Sequence, residues 1–240
     1  MLKSISVTSE LLPAIGVNLV LALLAARGGG VRLSGVFGGL LVGIPICVFL
    51  GWQGFAVLVA LFLIGTVLTR VGYARKSALG VAEDRGGARG ASHALANAGI
   101  AALASFGAWF TGNPLWALAF TAALATATMD TAGSEIGPLY GRRTISLRTF
   151  REVPPGTDGA VSLEGTLAGL AAASILAVVA LAGGLVSGLG VVWVLAGALA
   201  GNLYEGILGS RKLLPHTWLN ATNTLVGALV AFLLAFRAGS

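Results

Sequence analysis

Residues 33–70 read LSGVFGGLLVGIPICVFL, then GWQ, then GFAVLVALFLIGTVLTR. No charged side chain interrupts the stretch before Arg70. Two apolar runs, 33–50 and 54–69, meet at Gly51-Trp52-Gln53. Each run is of helical length, and neither shows the ten-residue alternation of a membrane barrel strand. Both therefore read as transmembrane helices.

The pattern repeats along the chain. Apolar runs recur at about 11–26, 93–110, 114–130, 162–183, 187–208 and 217–236. The 240 residues are 56% hydrophobic and only 10% charged, with a mean hydropathy of +0.91. A soluble domain carries roughly a quarter charged residues. The expected fold is all-α: residues 1–240 form a single polytopic transmembrane bundle of about eight spans, with six or seven as the alternative counts. Cytoplasmic loops are expected at about 70–92 and 131–161. The 36 glycines include Gly35/Gly39/Gly43, Gly165/Gly169 and Gly197/Gly201, spacings that let helix backbones approach closely. Packing within the chain is the preferred reading of these faces; they also permit a homodimer. The single cysteine, Cys47, lies mid-span, which excludes an intrachain disulfide and a thiol-built metal site. With Lys3 as its only basic residue and Glu10 ahead of the first apolar run, the start does not read as a secretory signal.

Charge sorts the spans into two sides. Arg27, Arg32, Arg70, Arg75, Lys76, Arg85, Arg89, Arg142, Arg143, Arg148, Arg151, Arg211 and Lys212 all fall in alternate connections, leaving only Lys3 and Arg237 for the other side. The positive-inside rule then puts both termini outside and the long loops in the cytoplasm of a bacterial or archaeal membrane. The net charge of +6 follows this orientation and makes no case for nucleic acid.

The acids follow the same sorting. Asp130, Glu135, Asp158, Glu164 and Glu205, with Glu83 and Asp84, all belong to the basic side. An ionisable group in or beside a membrane span is costly and marks a functional site by default. Asp130 and Ser134 share a helical face, as do Asn202 and Glu205, His93 and Asn97, and Asn220, Asn223 and Thr224. Each pair taken singly reads equally well as an interhelical hydrogen bond. Their convergence on one side argues for a polar centre open to the cytosol. Carboxylates and hydroxyls are hard oxygen ligands suited to Mg²⁺ and its phosphate partners. The segment Pro154-Pro155-Gly156-Thr157-Asp158-Gly159, with Ser162 opening a helix, is suited to an anion, because glycines let backbone N–H groups converge at a helix N-terminus. The plain alternative is an ordinary loop with Ser162 as N-cap. A P-loop, a His-Glu-x-x-His motif, a nucleophile elbow and a Cys/His ligand set are all missing from the sequence.

Asp130-Thr131-x-x-Ser134-Glu135-x-Gly137 and Val153-Pro154-Pro155-Gly156-Thr157-x-Gly159-x-Val161-Ser162-x-x-Gly165-Thr166 together form a long motif, joined by Ala96-Asn97-Ala98-Gly99 and Asn220-x-x-Asn223-Thr224. Over nearly the whole chain this resembles a widespread integral membrane family that includes the phytyl-phosphate kinases of tocopherol and phylloquinone biosynthesis. Many of its prokaryotic members have no assigned function. More remotely the chain is similar to CTP-dependent phytol and dolichol kinases. One departure is Tyr204-Glu205-Gly206, where an acid–serine pair is expected. The resemblance implies a membrane kinase that transfers a phosphoryl group from a nucleoside triphosphate, CTP above all, to an isoprenoid monophosphate. In that reading Asp130, Ser134, Glu135, Glu164 and Glu205 serve Mg²⁺. Gly156, Thr157, Asp158, Gly159 and Ser162 hold phosphates, with Asn97, Asn220 and Asn223 positioning substrate. Lys76, Arg142 and Arg143 act as clamps. The alternatives are a lipid-phosphate cytidylyltransferase and a transporter or scramblase of lipid or small anions.

Overall fold

A computed structural model describes residues 7–82, 87–211 and 213–239. Lys3, Glu83, Asp84, Arg85 and Lys212 lie outside the described residues. The order of elements is α1 (Val7–Arg27), α2 (Leu33–Arg70), α3 (Tyr73–Ala78), α4 (Ala91–Thr111), α5 (Pro114–Tyr140), β1 (Thr144–Ser146), β2 (Ala160–Ser162), α6 (Leu163–Ala182), α7 (Gly188–Gly209) and α8 (His216–Ala238).

A straight helix of the length of α2 would run about 57 Å, nearly twice the apolar core of a bilayer. It does not run straight. Gly51 takes φ 65° and ψ −165°, a conformation open to glycine, and breaks the helix there. The two limbs fold back on each other: Gly35 and Gly65 both pack against Arg89, Gly30 meets the Phe62 ring, and the Arg70 guanidinium donates to the Gly28 carbonyl at 2.8 Å. The 38 residues are thus two antiparallel spans, as the Gly51-Trp52-Gln53 connection predicts.

Six helices among the described residues are long and apolar enough to cross a membrane, α2 counted once. Apart from the short α3, the helix left out of that set is α5, and it is the one at the centre. Thr121, Thr126 and Thr128 are buried along it, each hydroxyl donating to the carbonyl four residues back at 2.7–2.9 Å. A span wrapped by protein can carry such residues because it never faces lipid. Counting α2 twice and adding α5 gives eight membrane-length segments. Asn113 caps the start of α5 by accepting from the Leu115 N–H at 2.9 Å, with Pro114 in the first turn.

Small residues set the packing. Gly133 and Gly137 of α5 meet Gly165 of α6, and Gly169 meets the Met129 backbone. Gly197 and Gly201 of α7 meet Gly227 and Asn223 of α8, around Thr126. In α2, Gly35 packs on Arg89, Gly38 on Ala91 and Gly43 on Asn18, while Gly39 faces open space. The small faces are therefore used within the chain. Large apolar side chains such as Leu103, Phe110, Ile175, Leu233 and Phe236 point outward, as in a bundle solvated by lipid.

The loop expected at 131–161 is shorter than that. Helix α5 continues to Tyr140, and β1 and β2 then pair antiparallel, Thr144 opposite Ser162 and Ser146 opposite Ala160. Strands of three residues are too short for alternation to reveal. The loop at 70–92 likewise contains the short helix α3.

Candidate functional site at the basic end of the bundle

A cavity of about 630 Å³ opens at the end of the bundle where the basic residues gather, and α4, α5, α6, α7 and the β2 loop all line it. Asp130, half-buried on α5, shares a hydrogen bond with Glu205 of α7. On the other side of Glu205, the Asn223 amide donates to its Oε2. Asn220, one turn earlier on α8, donates to Asn97 Oδ1 of α4 at 3.3 Å. Four helices thus bring Asp130, Glu205, Asn97, Asn220 and Asn223 together. The Oδ1 atoms of Asn220 and Asn223 are buried without a hydrogen-bond partner among the described residues. Such orphaned acceptors are uncommon and favour a missing cation or donor nearby.

The donor set fits Mg²⁺. Among the described residues no three of His, Cys, Asp and Glu converge, so a cage made of protein alone is absent. Mg²⁺ needs none, since it is usually held by one or two carboxylates together with substrate phosphates and water. Asp130 and Glu205 meet that description.

The glycine-rich loop forms one rim. Gly156 (φ 82°) packs on Val81, and Gly159 (φ 70°) lies against the backbone of Gly206 and Ser210 at the end of α7. This contact ties the loop to the helix that carries Glu205. Thr157 is exposed and donates its hydroxyl to the Pro154 carbonyl at 2.7 Å. Asp158 also lines the rim. Ser162 accepts from the Gly165 N–H at 3.1 Å and so caps α6. The cap uses one acceptor lone pair of the hydroxyl and leaves its O–H free to donate, and Ser162 also lines the cavity. Since only glycine fits at Gly159, Gly159→Ala is expected to lift the loop from α7. Activity should fall about tenfold or more while the unfolding midpoint moves little, because the loop is peripheral to the core. Thermal unfolding alongside turnover checks this.

Several expected site residues lie elsewhere. Lys76 is 1% exposed, and its ammonium donates to the Leu68 carbonyl (3.1 Å), the Thr69 carbonyl (2.9 Å) and Glu135 Oε2. All three donors are occupied, so Lys76 anchors α3 to α5 and is no phosphate clamp. Glu135 borders the cavity, but its other oxygen accepts from the Thr69 hydroxyl at 2.6 Å. Both of its oxygens are engaged away from Asp130. Five helical residues rotate a side chain by about 140°, which is why the two acids diverge. Arg142 and Arg143 are exposed and outside the cavity lining. Glu164 faces away from the cavity and accepts from the Arg142 backbone N–H at 3.3 Å. Ser134 stays on the rim, its hydroxyl donating to the Thr131 carbonyl at 3.1 Å.

Arg89 is the cation that does line the cavity. Its backbone joins Gly30 and Arg32 (3.1 and 2.9 Å), and its guanidinium reaches Thr69 Oγ1 at 3.3 Å. His93, Asn202 and His216 line the cavity as well. The sequence signal for Arg89 is its place as the last basic residue before α4.

The family described as integral membrane protein DUF92 matches residues 16–212. An uncharacterised membrane protein of Synechocystis is 41% identical over 79% of this chain and 77% of its own length. The chloroplast protein VTE6 of Arabidopsis thaliana is 37% identical over 85% of this chain, which spans 65% of that relative. An uncharacterised membrane protein of Methanocaldococcus jannaschii is 33% identical over 90% of each. No solved structure matches.

Proposed function

The chain belongs to the DUF92 family of integral membrane proteins, and on that premise we propose that it is a membrane-embedded kinase converting an isoprenoid monophosphate to the diphosphate. The nucleoside triphosphate donor is CTP, by the remote similarity to phytol and dolichol kinases. The observation that carries the reading is the Asp130–Glu205 pair, set in a cavity rimmed by the Gly156–Gly159 loop and open on the basic side. The resemblance to phytyl-phosphate kinases points to the substrate class.

The acceptor phosphate is already an anion at neutral pH, so no strong general base is needed. One of its oxygens bonds to the γ-phosphorus while the bond from that phosphorus to the β,γ-bridging oxygen breaks. The electron pair leaves with the nucleoside diphosphate. Held by Asp130 and Glu205, Mg²⁺ would neutralise the charge on the transferring phosphates. Asn223 orients Glu205 through its amide, and Asn97 orients Asn220. Arg89 places a fixed positive charge at the cavity wall. Backbone N–H groups of the glycine loop align the triphosphate, so the chemistry rests on alignment and charge neutralisation.

The outer half of the bundle supports an enzyme over a through-path for transport: Leu118, Leu176, Ala180, Val194 and Ala231 are buried there. Purified protein incubated with phytyl or geranylgeranyl monophosphate, Mg²⁺ and each triphosphate in turn tests the proposal by product mass. The expected products are the isoprenoid diphosphate and CDP in equal amounts. A CDP-lipid with pyrophosphate would mean cytidylyl transfer instead, and no product from any donor would refute the kinase reading.

A further inference from the structure

The cavity does not end at the carboxylates. Along α7 its lining runs from Gly209 past Glu205 to Leu203 and Leu199, about 15 Å at the helical rise and into membrane depth. Leu199, Asn202, Leu203 and Gly206 form one continuous face of α7, and Thr166 lines the cavity from α6. Leu199 and Leu203 border the cavity and are 39% and 45% exposed, so the cavity stays open along this apolar stretch of α7. Accessible apolar wall residues at membrane depth point to an opening toward lipid. Among long helices adjacent in sequence, α6 and α7 pack on each other least, whereas glycine contacts join α5 tightly to α6 and α7 tightly to α8. The opening therefore lies between two rigid helix pairs. Leu170, one turn beyond Thr166, is 37% exposed and continues the apolar edge.

We infer that the isoprenoid chain of the substrate leaves the polar cavity sideways through the α6–α7 cleft, past Thr166, Leu199 and Leu203, and lies in the bilayer. This rests on the kinase reading for the identity of the phosphate and adds where its chain goes. The polar end and the apolar cleft are continuous, which fits one amphiphile: a phosphate headgroup against Asp130, Glu205 and Arg89, and a hydrocarbon chain in lipid. A chain that exits to lipid meets no end wall, so the cleft sets no upper limit on its length. Substrate is loaded from the membrane and not from the cytosol.

The test pairs labelling with a chain-length series. A geranylgeranyl monophosphate carrying a diazirine on its chain is photolysed with the full-length protein in lipid nanodiscs, and the labelled peptides are identified. The expected label falls on residues 166–170 and 199–203. Label on α1, α2 or α4 instead would overturn the cleft. In turnover, Leu199→Trp and Leu203→Trp should lower the ratio of kcat/KM for phytyl over dimethylallyl monophosphate by about tenfold, the scale of one overfilled contact. An unchanged ratio would also overturn it. Wild-type protein that turns over no monophosphate, yet is labelled in the cleft, would sink the kinase reading and leave the lipid path standing.

Discussion

Asp130→Asn is expected to remove phosphoryl transfer, lowering kcat by about a thousandfold or more. Asparagine matches aspartate in size and can still hydrogen-bond to Glu205, so the fold has no reason to change. What it lacks is the charge that, with Glu205, would hold a divalent cation against the triphosphate. The unfolding midpoint in detergent should match that of the wild type, which separates chemistry from stability. Turnover within tenfold of the wild type would remove Asp130 from the role assigned to it.

The second large effect concerns stability. Lys76 and Glu135 form an ion pair that is nearly sealed from solvent, their side chains 1% and 7% exposed. Lys76→Met strips the ammonium from Glu135 Oε2 and from the Leu68 and Thr69 carbonyls, leaving the buried Glu135 charge with only the Thr69 hydroxyl. Removing one member of a buried pair costs about 3–5 kcal/mol, because the other is left charged and unpaired. A lower unfolding midpoint and poor yield should follow. The double variant Lys76→Met/Glu135→Gln removes both charges and should recover most of that loss. If the double variant also recovers turnover, Glu135 serves structure. If it is stable yet inactive, Glu135 belongs to the reaction after all.

These two residues also mark the limit of what could be read in the chain. The spans were legible because apolar runs and charges sort together, and Gly51-Trp52-Gln53 was visible as a break even inside one 38-residue helical stretch. The small-residue faces were legible as packing, since spacing alone puts Gly165/Gly169 and Gly197/Gly201 on single helix faces. The gathering of Asp130, Glu205 and the asparagines followed from their position at one end of each helix. What spacing cannot supply is rotation about the helix axis relative to neighbours far away in sequence. Asp130 and Glu135 look like partners on paper, yet one faces α7 and the other faces Lys76 of α3. Lys76 reads as a free surface cation because its partner is on another helix. Arg89 reads in sequence as a topology signal first and a phosphate contact second, and it is the Gly30–Arg32 backbone that holds it at the cavity wall. The β1–β2 hairpin is too short to announce itself, although it fixes the loop that forms the cavity rim.

Manganese binding followed by electron paramagnetic resonance tests the central claim most directly, since Mn²⁺ takes the same oxygen ligands as Mg²⁺. In the presence of CTP, wild-type protein is predicted to immobilise one equivalent of Mn²⁺. Asp130→Asn and Glu205→Gln are predicted to abolish that signal, and Lys76→Met/Glu135→Gln to retain it. Binding that survives loss of both Asp130 and Glu205, or disappears with Glu135 alone, would contradict the account.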